Sequence, residues 1–181
     1  MGSVPAAETR SSGATGGLDD LAGPIAESLE VTPSATADLG GGLASLESVR
    51  DEIGASSPAL VIFFSTNCPR SVRMFPQFVR LASGVSEDTS VLAYSTWPRD
   101  VEVLPGFLAA SGALFDATVM EPWPPGEFGR EMAGVGLNVG PQWQMPLVAV
   151  LGEGGAVLGQ WEAVSNLGAV ESALRAGGML R

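Results

Sequence analysis

The sequence contains no histidine, no lysine and a single cysteine, Cys68, among its 181 residues. Without histidine, the chain can form neither a Ser-His-Asp nor a Cys-His catalytic arrangement, and no imidazole can bind a metal. With one cysteine, it can form no internal disulfide and no cysteine-rich zinc or iron–sulfur site. No acidic run has the spacing of an EF-hand loop, and no lysine is present to complete a P-loop. We therefore predict neither a metal nor a cofactor.

Basic side chains and long apolar runs are also scarce. Nine basic residues face 20 acidic ones, and the formal net charge is −11. A nucleic-acid-binding surface must be basic to replace counterions on phosphate, so a nucleic-acid partner is excluded. No segment reaches the roughly 18 apolar residues of a transmembrane helix, and the start of the chain lacks the pattern of a secretory signal. We predict a soluble chain with no membrane span and no signal peptide, in an undetermined compartment.

Composition divides the chain into two parts. Residues 1–40 are rich in Gly, Ala, Ser, Thr and Pro, a mixture that buries too little apolar surface to offset the entropy of ordering. We predict a flexible low-complexity segment over 1–40 and a folded domain over 41–181.

Apolar periodicity predicts helices and strands within this domain. The runs ALVIFFS (59–65) and SVLAYST (90–96) are typical of buried strands, and 43–54, 69–84 and 166–178 have helical spacing. Ser165 or Asn166 is the expected cap of the last helix. Between these elements we expect a helix around Pro105, a short strand in 113–119 and a short helix in 125–137. PLVAVL and AVLGQW, separated by GEGG, are typical of a hairpin, and the whole order indicates an α/β fold with a mixed sheet.

The stretch FFSTNCPRSVRMFP (63–76) combines several features. Cys68 follows a predicted buried strand and opens a helix, and Pro76 lies eight positions later, where a proline inside a helix costs about 3 kcal/mol. Further along, QMPLVAVLGEGGAVLGQW (144–161) places Met145 and Pro146 just before the hairpin. In this order, these features resemble the thioredoxin-like superfamily.

The resemblance implies a thioredoxin-like fold, with a central mixed β-sheet flanked by helices and Pro146 at the family's cis-proline position. The 78 residues from Cys68 to Pro146 exceed the spacing in a minimal thioredoxin. They resemble the TlpA/redoxin-type branch, which carries an insertion before the cis-Pro loop; here the insert spans 99–140.

Departures from the family pattern bear on activity. Ser71 stands where a second, resolving cysteine belongs, so the site is of the CxxS, or monothiol, type. Ile62 occupies the position of thioredoxin's buried, proton-relaying aspartate. Peroxidase activity is not expected, because Val61 and Ser65 replace the proline and threonine of the peroxiredoxin motif.

The predicted function is monothiol thiol-disulfide exchange by Cys68. A helix N-terminus stabilises a thiolate through its free N–H groups and its dipole, and Arg70 would add a positive charge nearby. By the resemblance, Ser71 would donate a hydrogen bond to the thiolate, Pro69 would set the helix start, and Pro146 would present its backbone to an extended substrate. The expected partner is a protein thiol or disulfide, or a small thiol.

Three further residues are candidate substrate-binding groups, because they fall at the Cys68 edge of the expected sheet. They are Met145, Trp97 and Trp143. Aromatic side chains commonly line recognition pockets, but core packing explains the two tryptophans equally well. Trp123 lies in the proline-rich stretch EPWPPGEF, which is either an exposed docking surface or a wrapped loop.

A second function fits the same residues. A lone cysteine is often a small buried apolar residue, and a thioredoxin-like domain can act as a non-catalytic module that binds a partner protein or serves in an assembly. The exposure of Cys68 separates the two. Exchange needs this thiol accessible beside Pro146, whereas a scaffold would bury it and expose an apolar patch elsewhere, for instance around Trp123.

Overall fold

The computed structural model describes residues 43–181, and the expected flexible segment 1–40 lies outside the described residues. A short 3-10 turn, Pro98–Glu102, precedes the third helix. The helices and strands follow in the order α1 (Leu46–Ala55), β1 (Ala59–Phe64), α2 (Pro69–Ser83), β2 (Ser90–Ser95), α3 (Leu104–Ser111), β3 (Ala117–Val119), α4 (Glu127–Ala133), β4 (Leu147–Leu151), β5 (Val157–Trp161) and α5 (Gly168–Ala176).

The strands form one mixed sheet in the order β3-β2-β1-β4-β5. β1 is parallel to β2, and β2 to β3, whereas β4 runs antiparallel to both β1 and β5. The predicted mixed sheet with a closing hairpin is confirmed. β1 takes the central place because all six of its side chains are apolar and buried, as a strand covered on both faces requires.

Helices cover both faces of the sheet. Because side chains alternate along a strand, neighbouring residues of β1 belong to different cores. Ile62 and Phe64 pack with side chains of α2, α3 and α5. Val61 and Phe63 pack with side chains of α1 and α4. This is the thioredoxin-like α/β architecture that the sequence predicts.

Helix α2 begins directly after Cys68, which is its N-cap, with Pro69 in the first helical position. Proline is tolerated there because the first helical N–H has no partner within the helix. Pro76 lies inside the same helix, at the predicted register. The ring of buried Phe75 packs 5.0 Å from that of Phe64, so α2 is held against the strand that leads to the cysteine.

Two local predictions need correction. β2 is fully buried only in its second half, because its first three residues extend beyond the short strand β3. The N-cap of α5 is Leu167, without a side-chain cap, and neither Ser165 nor Asn166. Buried Leu167 and Val164 anchor this segment, so the helix starts after them; Asn166 Oδ1 accepts only a 3.3 Å hydrogen bond from the N–H of Gly168.

The expected insertion before the proline loop is present. Residues 99–140 include α3, β3 and α4. The insertion therefore adds β3 as an outermost strand of the sheet, and its helix α4 packs on the same face of the sheet as α1. None of the helices among residues 43–181 has the length and apolar character needed to cross a membrane.

Candidate functional site

The strand registers bring three loops to one edge of the sheet. In the antiparallel pair β1 and β4, Phe63 lies opposite Leu147, so the residues after β1 meet those before β4. The parallel strands β1 and β2 end in register. This edge therefore holds Cys68, Trp97 and Pro146, which the sequence separates widely.

Cys68 is half-buried at the start of α2. Its N–H donates to the carbonyl of Ser65 at 3.2 Å, and its carbonyl accepts from the N–H of Val72 at 3.0 Å. The residue is thus held by the preceding turn and by the helix. Its sulfur lies beside the backbone N–H groups of Arg70 and Ser71, and the residue is partly exposed to solvent.

The pKa of Cys68 is lowered from its ordinary value. Partial burial of the thiol acts the other way and raises the pKa. It is outweighed by the Ser71 hydroxyl and the backbone N–H groups of Ser71 and Arg70, all placed to donate to the thiolate, and by the positive charge of Arg70. All of these groups stabilise the thiolate relative to the thiol, and the thiolate is the nucleophilic form.

Ser71 is fully buried, and its hydroxyl has no hydrogen-bond partner among the described residues. Leaving a buried hydroxyl without a partner costs about 1–3 kcal/mol. The thiolate of Cys68 is an acceptor within reach of this hydroxyl. Ionisation of Cys68 would therefore satisfy a buried group that otherwise lacks a partner.

Arg70 connects the first turn of α2 to the loop after β5. Its Nη1 donates to the carbonyl of Ala163 at 3.4 Å, and the N–H of Ala163 donates to the carbonyl of Gln144 at 3.0 Å. Ala163 has a φ of 51°, a left-handed conformation that is uncommon for residues other than glycine. Through this bridge Arg70 lies near both the thiol and the proline loop, while Pro69 is exposed.

The peptide bond between Met145 and Pro146 is cis, as the resemblance predicts. The carbonyl of buried Pro146 accepts from the N–H of Val164 at 3.3 Å. The sulfur of half-buried Met145 accepts a hydrogen bond from the Thr96 hydroxyl at 2.8 Å. Thr96 thus links the end of β2 to the proline loop, a contact that the sequence did not predict.

The candidate tryptophans lie in different settings. Trp97 follows β2 and is 39% exposed at the Cys68 edge. Trp143 stacks on the buried ring of Phe128, with centroids 4.6 Å apart, and packs against the core formed with α1 and α4. Trp123 stacks on the same phenylalanine at 5.2 Å. Core packing therefore accounts for Trp143 and Trp123, and Trp97 presents an aromatic surface to solvent.

Asp100 is a residue of this edge that the sequence pattern did not indicate. It lies in the 3-10 turn after β2 and is buried. Its carboxylate accepts hydrogen bonds from the N–H and the hydroxyl of Thr66 and from the hydroxyl of Ser95. The sequence signal was weak, because an acid in the charged run PRDVE is usually solvated.

The described residues form no metal-ligand cluster, and two of their surface cavities lie away from the thiol. Residues 43–181 contain no group of three acidic or cysteine side chains able to hold a metal ion. Two surface cavities of about 370 and 390 Å³ lie beside the outer parts of α2, one towards segment 114–118 and the other towards α5, and Cys68 lines neither.

No family model matches the chain, and no curated protein matches it significantly. Several solved structures are similar to the chain. A thio-disulfide isomerase from Thermus thermophilus is 21% identical, with a TM-score of 0.50 over 68% of this chain and 81% of that chain. A secreted disulfide oxidoreductase from Mycobacterium tuberculosis, homologous to E. coli DsbE, is 13% identical, with a TM-score of 0.50 over 70% of this chain and 85% of that chain. At these identities the similarity establishes the thioredoxin-like fold, and a fold alone does not assign a function.

Proposed function

We propose that the domain, residues 41–181, carries out thiol-disulfide exchange through one nucleophile, Cys68, as a monothiol protein of the TlpA/redoxin type. The observation that carries the proposal is the setting of this thiol. It is partly exposed at a helix N-terminus, beside the unpaired Ser71 hydroxyl and the Arg70 charge, and its pKa is lowered. Each of these features favours the thiolate that attacks disulfides.

In the first step, the Cys68 thiolate attacks one sulfur of a substrate disulfide. A bond forms between Sγ and that sulfur, the substrate S–S bond breaks, and the second substrate sulfur leaves as a thiolate. In the next step, the thiolate of a small thiol or a protein partner attacks the substrate sulfur of the mixed disulfide. This step forms a new disulfide and releases the Cys68 thiolate, so each step replaces one S–S bond with another.

Ser71 makes the release step depend on a partner. Its hydroxyl stabilises the thiolate but cannot attack a disulfide as a cysteine at the same position would. We therefore expect the mixed disulfide to persist until another thiol arrives. The proposed partner is a protein thiol or disulfide, or a small thiol; the similar solved structures include a thio-disulfide isomerase and a disulfide oxidoreductase.

We assign the contact with an extended substrate to the residues around the thiol. Pro69 sets the start of α2, and Met145, Pro146 and Trp97 border the same edge of the sheet. Trp143 supports this edge indirectly, because it packs on the core behind the proline loop.

The test compares Cys68 in the protein with the same thiol in an unstructured peptide, TNCPRSV. Both react with a model disulfide at pH 7, and intact mass follows the mixed disulfide. We expect the folded protein to react faster than the peptide and Cys68→Ser to give no adduct. A folded protein that reacts no faster than the peptide would contradict the proposal.

A binding module without catalysis is the second candidate, and one observation favours it. Trp97, Val101 and Val103 are 39%, 45% and 51% exposed in and around one short turn, which gives the Cys68 edge an apolar surface. The two functions differ in their dependence on the thiol. A protein partner held by this surface would still bind Cys68→Ser, whereas capture by exchange would be lost.

A further inference from the structure

Asp100 is 1% exposed, so its carboxylate lies inside the protein. Burying a carboxylate is costly unless its oxygens accept several hydrogen bonds. Three donors meet that need here: the N–H of Thr66 at 2.9 Å, the hydroxyl of Thr66 and the hydroxyl of Ser95. Two of the three belong to the turn that leads to Cys68.

This turn, residues 65–67, controls where Cys68 lies. The N–H of Asn67 donates to the Ser65 hydroxyl at 3.0 Å, and the N–H of Cys68 donates to the Ser65 carbonyl at 3.2 Å. Thr66 lies between Ser65 and Asn67, and both its N–H and its hydroxyl donate to the Asp100 carboxylate. A shift of Thr66 would therefore move the N-cap of α2 as well.

Asp100 is itself held in place by its own backbone. Its N–H donates to the carbonyl of Trp97 at 2.8 Å, and its carbonyl accepts from the N–H of Val103 at 3.0 Å. The hydroxyl of Ser95, at the end of β2, also accepts from the N–H of Trp97 at 3.4 Å. The carboxylate is thus held in place between the end of β2 and the turn 65–67.

We propose that Asp100 is a positioning residue for Cys68, which it holds at the start of α2 by binding Thr66. This inference rests on the proposed function and deepens it. The buried aspartate that the resemblance expects on β1 is replaced by Ile62, and here a buried acid comes from the connection between β2 and α3 instead. Its hydrogen bonds go to the turn and to β2, so it acts through the backbone around the thiol.

The test is the rate of Cys68 alkylation by iodoacetamide against pH, followed by intact mass on the full chain. We expect Asp100→Ala to slow the reaction at pH 7 by about fivefold or more, because all three hydrogen bonds to the carboxylate are lost, and to move the midpoint of the alkylation rate to higher pH. None of the variants alters the other charged side chains near this edge, which are Arg70, Arg73, Arg99 and Glu162. Circular dichroism at the reaction temperature shows whether the variant is folded.

Two milder variants separate geometry from charge. In Asp100→Asn, the amide oxygen can accept from the Thr66 N–H and the Ser95 hydroxyl, while the amide NH₂ donates to the Thr66 hydroxyl. We expect this variant to react within about twofold of the wild type, because only the charge is lost. Thr66→Val removes one donor to the carboxylate and should slow the reaction by about twofold or more.

Thr89→Val is the matched control. Thr89 is buried at the opposite end of β2, and its hydroxyl pairs with that of Ser86 at 2.8 Å. This variant also loses a buried hydrogen bond, but far from the thiol. We expect Thr89→Val to show the wild-type dependence of the Cys68 alkylation rate on pH.

The outcomes are distinct. A folded Asp100→Ala protein with the wild-type profile, or equal losses in Asp100→Ala and Thr89→Val, overturns the inference. An Asp100→Asn protein as slow as Asp100→Ala overturns it, because keeping the hydrogen-bond pattern would then not keep the thiol in place, and losing a nearby negative charge would by itself favour the thiolate. If Asp100→Ala does not fold, Thr66→Val decides, and a wild-type profile there overturns it. The proposed function fails separately, when wild-type Cys68 reacts no faster than the unstructured peptide.

Discussion

The guanidinium of Arg70 and the carbonyl of Ala163 meet across the candidate site, with Nη1 and O 3.4 Å apart. This contact joins the first turn of α2 to the loop after β5, which in turn is hydrogen-bonded to the proline loop. Arg70 therefore does two things. It links the loops of this edge, and it brings a positive charge close to Cys68.

Arg70→Gln removes the charge, together with the Nη1 contact to Ala163, and leaves the backbone N–H of residue 70 in place. Burial raises the pKa of Cys68, and the Arg70 charge is among the groups that more than offset burial. The substitution should therefore raise this pKa and slow alkylation at pH 7 by about twofold to threefold, as expected for one partly screened charge. Arg80→Gln, in the last turn of the same helix, is the control. Equal rates in the two variants would contradict the prediction.

Ser71→Cys should convert the monothiol site into a dithiol site, because this side chain lies within reach of the Cys68 sulfur. After reaction with a model disulfide, the mixed disulfide should be short-lived and an internal disulfide should replace it, as intact mass would show. Ser71→Ala is the control. It should still accumulate the mixed disulfide, with a raised Cys68 pKa, because it removes a hydroxyl that stabilises the thiolate. A lasting mixed disulfide in Ser71→Cys would count against this geometry.

Tyr94 should make the stability of the protein fall at alkaline pH. Its hydroxyl is buried and donates to Glu52 at 2.9 Å, and burial, followed by the hydrogen bond and charge of Glu52, raises the Tyr94 pKa far above the ordinary value. In the unfolded chain a tyrosine ionises near pH 10. The stabilising contribution is therefore complete below about pH 10 and is lost as the pH rises above that value.

Tyr94→Phe tests this dependence. It should cost about 1 kcal/mol at neutral pH, and its free energy of unfolding should fall less steeply than that of the wild type above about pH 10. Urea unfolding across this range measures both effects. Because Tyr94 is the single tyrosine in the chain, ultraviolet absorbance of tyrosinate reports its ionisation directly. A wild-type tyrosine that ionises near pH 10 while the protein is folded would refute the account.

Two glycines within helices should respond in opposite directions to alanine. A Cβ added at Gly106 in α3 meets nothing within 4 Å, whereas one at Gly129 in α4 would lie 2.4 Å from the carbonyl oxygen of Val139. Gly106→Ala should stabilise the protein by about 0.5–1 kcal/mol, because alanine has less backbone entropy to lose. Gly129→Ala should destabilise it by about 1–3 kcal/mol, because the backbone must move. Urea unfolding of the matched pair gives the signs, and a shared sign would disprove the packing argument.

The sequence was sufficient to predict the central elements of the fold. The unbroken apolar run of β1, the hairpin around GEGG and the eight-residue spacing from Cys68 to Pro76 all appear in the structure. Such features depend on periodicity and on residues with narrow backbone preferences, so they can be recognised within a short window. The cap of α5 was predicted less well, because the burial of Leu167 and Val164, and not a local hydrogen bond, decides where that helix starts.

The candidate site was predictable only in part. Cys68, Ser71 and Arg70 are neighbours along the chain, so their proximity at the start of α2 followed from the helix alone. Trp97 and Trp143 looked equivalent in the sequence, and only the stack on Phe128 distinguishes the core residue from the exposed one.

By itself, the sequence determined which chemistry is available to this protein. The absence of histidine and the presence of a single cysteine leave one strong nucleophile, and the apolar pattern sets an α/β fold that carries it at a helix start. The tertiary structure decided which distant groups surround that nucleophile. Thr66 meets Asp100 from 34 positions away, and Arg70 meets Ala163 from 93 positions away. Contacts of this kind arise from the packing of the whole sheet, which no local spacing along the chain encodes.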